Sequence, residues 1–201
     1  MKEGIRILGI DDSPFEKYRI GKGRKKHERA KKVLIVGAVY RQNIVEGILS
    51  TCVAQDGTDA TSKLQKMISK SRFLSQIKLI LMHGTMVAGL NVVDILQLSE
   101  KLKIPIIAVT KRKPDMKGVY NALKKANAKT FNRKRKIIER IVKYSGEFYK
   151  IKVNGNIYYI QTVKMNKNDA INILNKFGIE PLRLAHIVGS GIVKGESSGR
   201  L

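Results

Sequence analysis

A short apolar run near the amino terminus ends in two adjacent carboxylates, and this feature constrains the fold more than any other. Residues 5–10 are mostly Ile and Leu, which suits a strand buried on both faces. Asp11 and Asp12 follow directly, and Pro14 disfavours continuation as a regular strand. Ligands and metal ions usually bind at the carboxyl ends of strands in open α/β sheets. An Asp pair also suits a surface turn, so the local sequence leaves both interpretations open.

Further apolar runs predict a mixed sheet with helices on its faces. The second and third strands, residues 33–40 and 44–54, are joined by a link short enough for an antiparallel hairpin. Two more strands, residues 77–82 and 106–109, are each reached through a helix, which favours parallel pairing. The Asn-Gly pair within residues 148–161 predicts an added β-hairpin. We expect one domain over residues 1–201.

Helical spacing or capping residues mark the segments between and after these strands. The predicted helices cover residues 58–71, 91–102, 115–126, 130–145 and 166–177, with a last helix starting at residue 180.

A second pair of acids repeats the opening pattern. Asp56 ends the third strand, and Asp59 follows it, so four of only 16 acidic residues lie at the ends of two apolar strands. Clustered carboxylates repel each other and favour a compensating cation, for which Mg²⁺ or Mn²⁺ is suited by its preference for oxygen ligands. An acid in the first turn of a helix also stabilises the helix dipole, which is the alternative explanation for Asp59 and for Asp94.

Net charge indicates a polyanionic partner. The chain has 40 Lys and Arg against 16 Asp and Glu, which gives a net charge of +24. Nucleic acid is the commonest such partner; a membrane surface, or a Lys-rich composition from genome bias or heat adaptation, is the alternative. Residues 22–32 hold seven positive charges and one negative, and residues 111–143 hold thirteen against two. We expect an exposed loop in the first run and a helix with a basic outer face in the second. The expected nucleic-acid contacts are Lys25, Lys26, Arg112, Arg133, Lys134 and Arg183.

Several protein classes are disfavoured. The chain has no run of 18 apolar residues and no signal-peptide pattern at its start, so we expect an intracellular protein that does not span a membrane. Cys52 is the only cysteine and lies in an apolar strand, where a free cysteine is usually buried. One Cys and three His do not give zinc-site spacing, and a phosphate-binding loop motif is absent.

Four segments together resemble one family. They are GIDDSPF, QDGTDAT, GLNVVD and EPLRLAH, and they are similar to the endonuclease dU proteins, relatives of endonuclease V with a ribonuclease H-like fold. The likeness covers nearly the whole chain. Similarity to endonuclease V itself comprises Asp11, Gly84, Lys111 and residues 180–186, in that order.

The resemblance implies a function and a set of site residues. By analogy with endonuclease V, Asp11 and Asp56 would coordinate Mg²⁺, and Lys111 and His186 would complete the catalytic site. Endonuclease V has Asp-Gly where this chain has His83-Gly84, and its base-wedging segment is not recognisable near Asp56. Asp12 or Asp59 would then compensate for the changed ligand, or His83 would itself coordinate. Asp94 and Glu180 are further candidate residues.

Two functions follow as hypotheses. The first is a Mg²⁺-dependent endonuclease that cleaves DNA, or alternatively RNA, near deaminated bases such as deoxyuridine. The second is a nucleic-acid-binding protein that keeps the nuclease scaffold without catalysis, and the replacement of a metal ligand by His83 supports it.

Overall fold

A seven-stranded mixed sheet forms the centre of the computed structural model, which describes residues 4–16 and 31–198. The nine strands of the described residues are β1 Arg6–Asp12, β2 Lys32–Arg41, β3 Ile44–Ala54, β4 Ile77–His83, β5 Met86–Val87, β6 Asn91–Val92, β7 Ile106–Thr110, β8 Tyr149–Val153 and β9 Asn156–Val163. Their six helices are α1 Ala60–Ser69, α2 Ile95–Leu102, α3 Met116–Ala126, α4 Ala128–Ser145, α5 Lys167–Phe177 and α6 Glu180–Lys194. β5 and β6 form a separate two-stranded hairpin.

The order of strands across the sheet is β3-β2-β1-β4-β7-β9-β8. β1, β2 and β3 pair antiparallel, while β1, β4 and β7 are parallel neighbours. The hairpin β8–β9 extends the sheet because β9 pairs antiparallel with β7. The predicted fold class, with three antiparallel strands, then parallel strands and an added hairpin, is therefore confirmed.

Successive residues of a strand point to opposite faces, and the two faces of this sheet are covered by different helices. Leu8 and Ile10 of β1 pack in one apolar cluster with residues of α1, α2 and α4. Ile7 of β1 packs in a second cluster with residues of α5 and α6. We call these sides the α1 face and the α6 face.

Helix α6 lies directly against β1 because Gly9 has no side chain. A Cβ atom at Gly9 would lie 2.1 Å from the carbonyl oxygen of Pro181 and 2.7 Å from the backbone nitrogen of Leu182. Both contacts are to backbone atoms, which cannot rotate away. Gly9 therefore sets how closely the last helix approaches the first strand.

Two expectations about individual residues are corrected. The segment Asn91–Val92 is strand β6, and α2 begins only at Ile95 with Asp94 as its N-cap residue. Cys52, predicted to be buried, is exposed, because it lies on the face of β3 opposite to that of the buried Val53. On the same strand Ile44, Val45 and Ile48 are also exposed. No helix of the described residues is long and apolar enough to cross a membrane.

Replacing Gly9 tests the contact between β1 and α6. We expect Gly9→Ala to lower the free energy of unfolding by about 1–3 kcal/mol or more, because the added methyl group displaces backbone atoms of α6. Gly191→Ala on α6 is the matched control, since a Cβ atom there meets nothing within 4 Å. Alanine is the better helix former by about 0.5–1 kcal/mol, so this control is expected to be neutral or stabilising. Equal urea unfolding midpoints for the two variants would contradict the conclusion that Gly9 sets how closely α6 approaches β1.

Candidate active site at the end of the first strand

Asp11 is a buried carboxylate held between two imidazole rings. Its side chain is only 3% exposed. His83 Nδ1 lies 3.3 Å from Asp11 Oδ1, and His186 Nδ1 lies 3.1 Å from Asp11 Oδ2. The structure thus brings together three residues that the sequence separates by 72 and 175 positions.

The sheet explains this convergence. β1 and β4 are parallel, with Ile10 opposite Met82, so Asp11 and His83 are the next positions at the same edge. Leu79 and Leu81 of β4 pack with Ile7 on the α6 face, and alternation places His83 on that face as well. Close packing of α6 on β1 brings His186 to the opposite side of the Asp11 carboxylate.

Asp12 points to the other face of the sheet. Its Oδ2 accepts a hydrogen bond of 2.6 Å from the backbone N–H of Ala88. Burial, and after it the charge of Asp11, raises the pKa of Asp12 to about 6. Asp11 and Asp12 are therefore electrostatically coupled although their side chains leave the strand on opposite sides.

The turn at residues 88–90 also holds Asp56. The Asp56 N–H donates to the Ala88 carbonyl at 2.9 Å, and Asp56 Oδ1 accepts from the Leu90 N–H at 2.9 Å. Asp56 has a φ of 54°, in the left-handed region that few non-glycine residues adopt. A Cβ atom at Gly89 would lie 2.5 Å from Asp56 Oδ1, so only glycine fits there. This turn therefore fixes Asp12 and Asp56 on the α1 face.

Asp59 and Asp94 have structural partners. Asp59 Oδ1 accepts from the Ala54 N–H at 3.1 Å and from Asn91 Nδ2 at 2.8 Å. The Asp94 carboxylate caps α2 by accepting from the Gln97 N–H at 3.1 Å, and it forms an ion pair with Arg140. Both side chains thus connect α1, α2 and α4 to the segment that follows β4.

Lys134, predicted to contact nucleic acid at the protein surface, is instead buried. Its exposure is 2%, and its Nζ donates a hydrogen bond of 2.7 Å to the backbone carbonyl of Asp56. Burial lowers the pKa of Lys134, while the carboxylate of Asp56 opposes that shift. Lys134 lies on the side of α4 that also buries Ile138 and Ile141, so it is not on the basic outer face that the sequence predicted.

The remaining predicted residues lie around this centre or elsewhere. The hydrogen bond to Asp11 raises the pKa of His83, whereas the charge of Lys111 opposes protonation, so Lys111 acts on the same site. Arg112 and Arg133 are exposed. Arg183 forms an ion pair of 2.6 Å with Glu180 at the start of α6. Lys25 and Lys26, with most of the first basic run, lie outside the described residues.

Two features of the site were missed by sequence reasoning. The turn at residues 88–90 contributes backbone groups, and its only sequence signal is Gly89. The Ser13 hydroxyl is buried and, among the described residues, has no hydrogen-bond partner. It lies against α6, since a Cβ atom at Gly189 would be 2.5 Å from Ser13 Oγ.

A largely apolar pocket of about 620 Å³ opens beside His83. We call it the apolar pocket; its walls include Met86, Met116, Val119, Tyr120, Ile138 and Phe148. Its size is within the range of small-molecule binding sites.

The residues around Asp11 are suited in type to a divalent cation. Among the described residues, no group of three or more His, Cys, Asp or Glu side chains is arranged to hold a metal ion, so the predicted set of four carboxylates is not assembled. The donors there are nevertheless the Asp11 carboxylate and the two imidazoles that contact it. The Ser13 hydroxyl, without a hydrogen-bond partner among the described residues, lies on the same face. Burial, and after it the charge of Asp11, raises the pKa of Asp12, and a nearby cation would favour the charged form of this carboxyl group.

The structure defines an α/β protein whose fold is similar to that of endonuclease V. Human ENDOV superposes with a TM-score of 0.53 over 96% of this chain and 85% of that chain, at 15% identity, which shows a shared fold. A protein of unknown function from Archaeoglobus fulgidus superposes with a TM-score of 0.76 at 34% identity, covering 94% of this chain and 98% of that chain.

Sequence comparison gives the family. The model of the Endonuclease dU family matches residues 3–193. A UPF0215 protein of Methanothermobacter thermautotrophicus is 38% identical over 99% of this chain and 93% of its own length. A UPF0215 protein of Archaeoglobus fulgidus is 37% identical over 97% of each chain. The chain belongs to the Endonuclease dU family, as its sequence motifs predicted.

The pKa of Asp12 predicts how stability depends on pH. Its rise from 3.8 to about 6 means that the folded protein binds more protons than the unfolded chain between these values, so stability falls as pH rises through them. At neutral pH this costs up to about 3 kcal/mol. We expect Asp12→Asn, measured with a chelator present, to flatten the dependence between these pH values and to raise the unfolding midpoint at pH 7.

The contribution of His83 falls in a separate range. Its raised pKa gives a stabilisation that is fully present below its ordinary value of 6.5 and is lost as pH rises through its folded value. The control for Asp12→Asn is Glu100→Gln, which removes one carboxylate from an exposed position on α2. If Asp12→Asn and Glu100→Gln gave the same pH profile, the assigned pKa of Asp12 would be wrong.

Proposed function

We propose that this protein is a divalent-metal-dependent endonuclease that hydrolyses phosphodiester bonds in nucleic acid, with DNA as the favoured substrate. The observation that carries the proposal is the buried Asp11 carboxylate between His83 and His186 at the end of β1. Family membership and the endonuclease V type of fold support the same reaction class. The net charge of +24 supports a polyanionic substrate.

The cation would be held by Asp11 and His186. The carboxylates of Asp12 and Asp56, fixed on the neighbouring turn, are proposed as outer acidic groups. A bound Mg²⁺ or Mn²⁺ supplies Lewis-acid activation of water and of the phosphoryl oxygens. The imidazole donors make Mn²⁺ a worthwhile alternative to Mg²⁺, which prefers oxygen ligands.

Cationic side chains would bind the scissile phosphate. The pKa of His83 is raised by its hydrogen bond to Asp11, which favours the imidazolium form. Lys111 lies close enough to His83 to oppose that protonation, so the two groups present positive charge at one place. We assign both to neutralising the charge that develops on the phosphate in the transition state.

The apolar pocket is proposed to receive a base that has left the helical stack. Enzymes that act on or recognise single bases extrude the nucleotide into a pocket and stack it against aromatic or apolar side chains. Tyr120 and Phe148 offer such contacts, and His83 links the pocket to Asp11. Recognition of a deaminated base such as deoxyuridine is the specificity that we assign to this pocket.

Asp11→Asn tests the proposed reaction. Asparagine keeps the size and the hydrogen-bond acceptor of Asp11 but removes the buried charge, so we expect cleavage to fall about 100-fold or more. The assay uses labelled duplexes with uracil, inosine or no modified base, with Mg²⁺ or Mn²⁺. Asp169→Asn is the control and should cleave like the wild-type protein. Wild-type rates for Asp11→Asn would exclude this site as the catalytic centre.

Tyr120→Ala tests the assignment of the apolar pocket. Base–aromatic stacking contributes about 1–3 kcal/mol, so cleavage of the preferred modified duplex should fall roughly 5- to 150-fold relative to unmodified DNA. Tyr144→Ala is the matched control, because Tyr144 lies on α4 with 59% exposure and does not line the pocket. Equal effects of the two substitutions on substrate preference would remove the base-binding role.

A nucleic-acid-binding protein without catalysis is the second candidate. The observation that favours it is His83 itself, because its imidazolium can balance the charge of Asp11 without a metal ion. This alternative predicts salt-sensitive binding of every duplex in the panel and no cleavage with either metal.

A further inference from the structure

A second concave surface lies on the opposite side of α4 from the apolar pocket. It is a cleft of about 550 Å³ between α2 and α4, which we call the basic cleft. Its lining includes Asp94, Gln97, Arg133, Lys136, Ile137 and Arg140. The three basic residues recur at intervals of three and four along α4, which places them on one side of the helix.

The charge of this cleft is available to a ligand. Among the described residues, neither Arg133 nor Lys136 forms an ion pair, whereas the adjacent Arg135 is paired with Glu139 at 2.6 Å. Asp94 is the one acid of the lining, and it is buried, caps α2 and pairs with Arg140. Arg140 remains 55% exposed, so Asp94 orients a guanidinium that still faces solvent. The cleft therefore carries three positive charges against one buried negative charge.

The spacing of these charges fits a chain of phosphates. Seven residues of α-helix rise about 10 Å, so Arg133 and Arg140 can reach successive phosphates of one strand. Guanidinium groups bind phosphate oxygens in pairs, and the Gln97 and Asn132 amides add neutral hydrogen-bonding groups. A cleft with alternating polar and basic side chains and a single apolar residue is suited to a backbone and poorly suited to an apolar ligand.

Helix α4 connects the basic cleft to the candidate active site. Lys134 follows Arg133 on α4 and contacts the carbonyl of Asp56, and the carboxylates of Asp56 and Asp12 are held by the same turn. From these contacts we infer that the basic cleft binds the sugar–phosphate backbone of the substrate beside the cleavage position, with Arg133, Lys136 and Arg140 as its phosphate ligands. This inference rests on the proposed nucleic-acid substrate and adds the surface that anchors it.

The double variant Arg133→Gln/Lys136→Gln tests the anchor. Arg140 is left in place because its loss would leave the buried carboxylate of Asp94 without its ion-pair partner. Binding of a fluorescent DNA duplex is followed by anisotropy with a chelator present, from about 50 to 200 mM KCl. We expect weaker binding for every sequence. We also expect a shallower fall of log K with log salt concentration, with a slope reduced in magnitude by about two.

Lys167→Gln/Lys176→Gln is the matched control, since it removes the same charge from exposed positions on α5, across the sheet. The control should keep the wild-type slope. The inference that the basic cleft binds the sugar–phosphate backbone would be refuted by an unchanged slope in the double variant or by an equal loss in the control. Absence of binding by the wild-type protein would also refute it. Because this assay needs no cleavage, a wild-type protein that binds with the expected slopes but cuts nothing would refute the nuclease proposal alone.

Discussion

The buried negative charge of Asp11 is the constraint on which the candidate site depends. A carboxylate removed from water must be compensated, and here two imidazoles reach its two oxygen atoms. One comes from the neighbouring parallel strand and the other from the last helix. Compensation therefore requires that β1, β4 and α6 meet at one edge of the sheet, and Gly9 permits that meeting by letting the backbone of α6 touch β1.

On the α1 face of the sheet, at the same end of β1, the carboxylates are held differently. Asp12 and Asp56 are held mainly by backbone N–H groups of one turn, not by cationic side chains. Such bonds fix the positions of the oxygens, and the pKa of Asp12 is still raised, first by burial and then by the charge of Asp11. Two adjacent residues of β1 therefore hold their carboxylates in different ways, Asp11 between two imidazoles and Asp12 against a backbone turn.

Local patterns predicted the seven strands of the main sheet, the helices and the fold class, because burial repeats with the period of each element. They missed the two-residue strands β5 and β6, which are too short to show a period. The meeting of Asp11 with His186 could be expected only from the family resemblance, since nothing local relates residues 175 positions apart. Alternation along β1 places Asp11 and Asp12 on opposite sides, which the prediction of a single carboxylate cluster left out. Lys134 precedes Ile138 and Ile141 by four and seven residues, so spacing indicated a buried position while the residue type suggested the surface.

The edge strand β3 has a consequence for the behaviour of the protein in solution. Among the described residues β3 pairs only with β2, and residues 42–62 contain no Lys or Arg. An edge strand without such charges offers unpaired backbone groups to other strands. The net charge of +24 opposes this association because like-charged molecules repel each other before their edges meet. Colloidal stability is therefore supplied by the surface as a whole, and neutralising that charge with a polyanion removes the protection from β3.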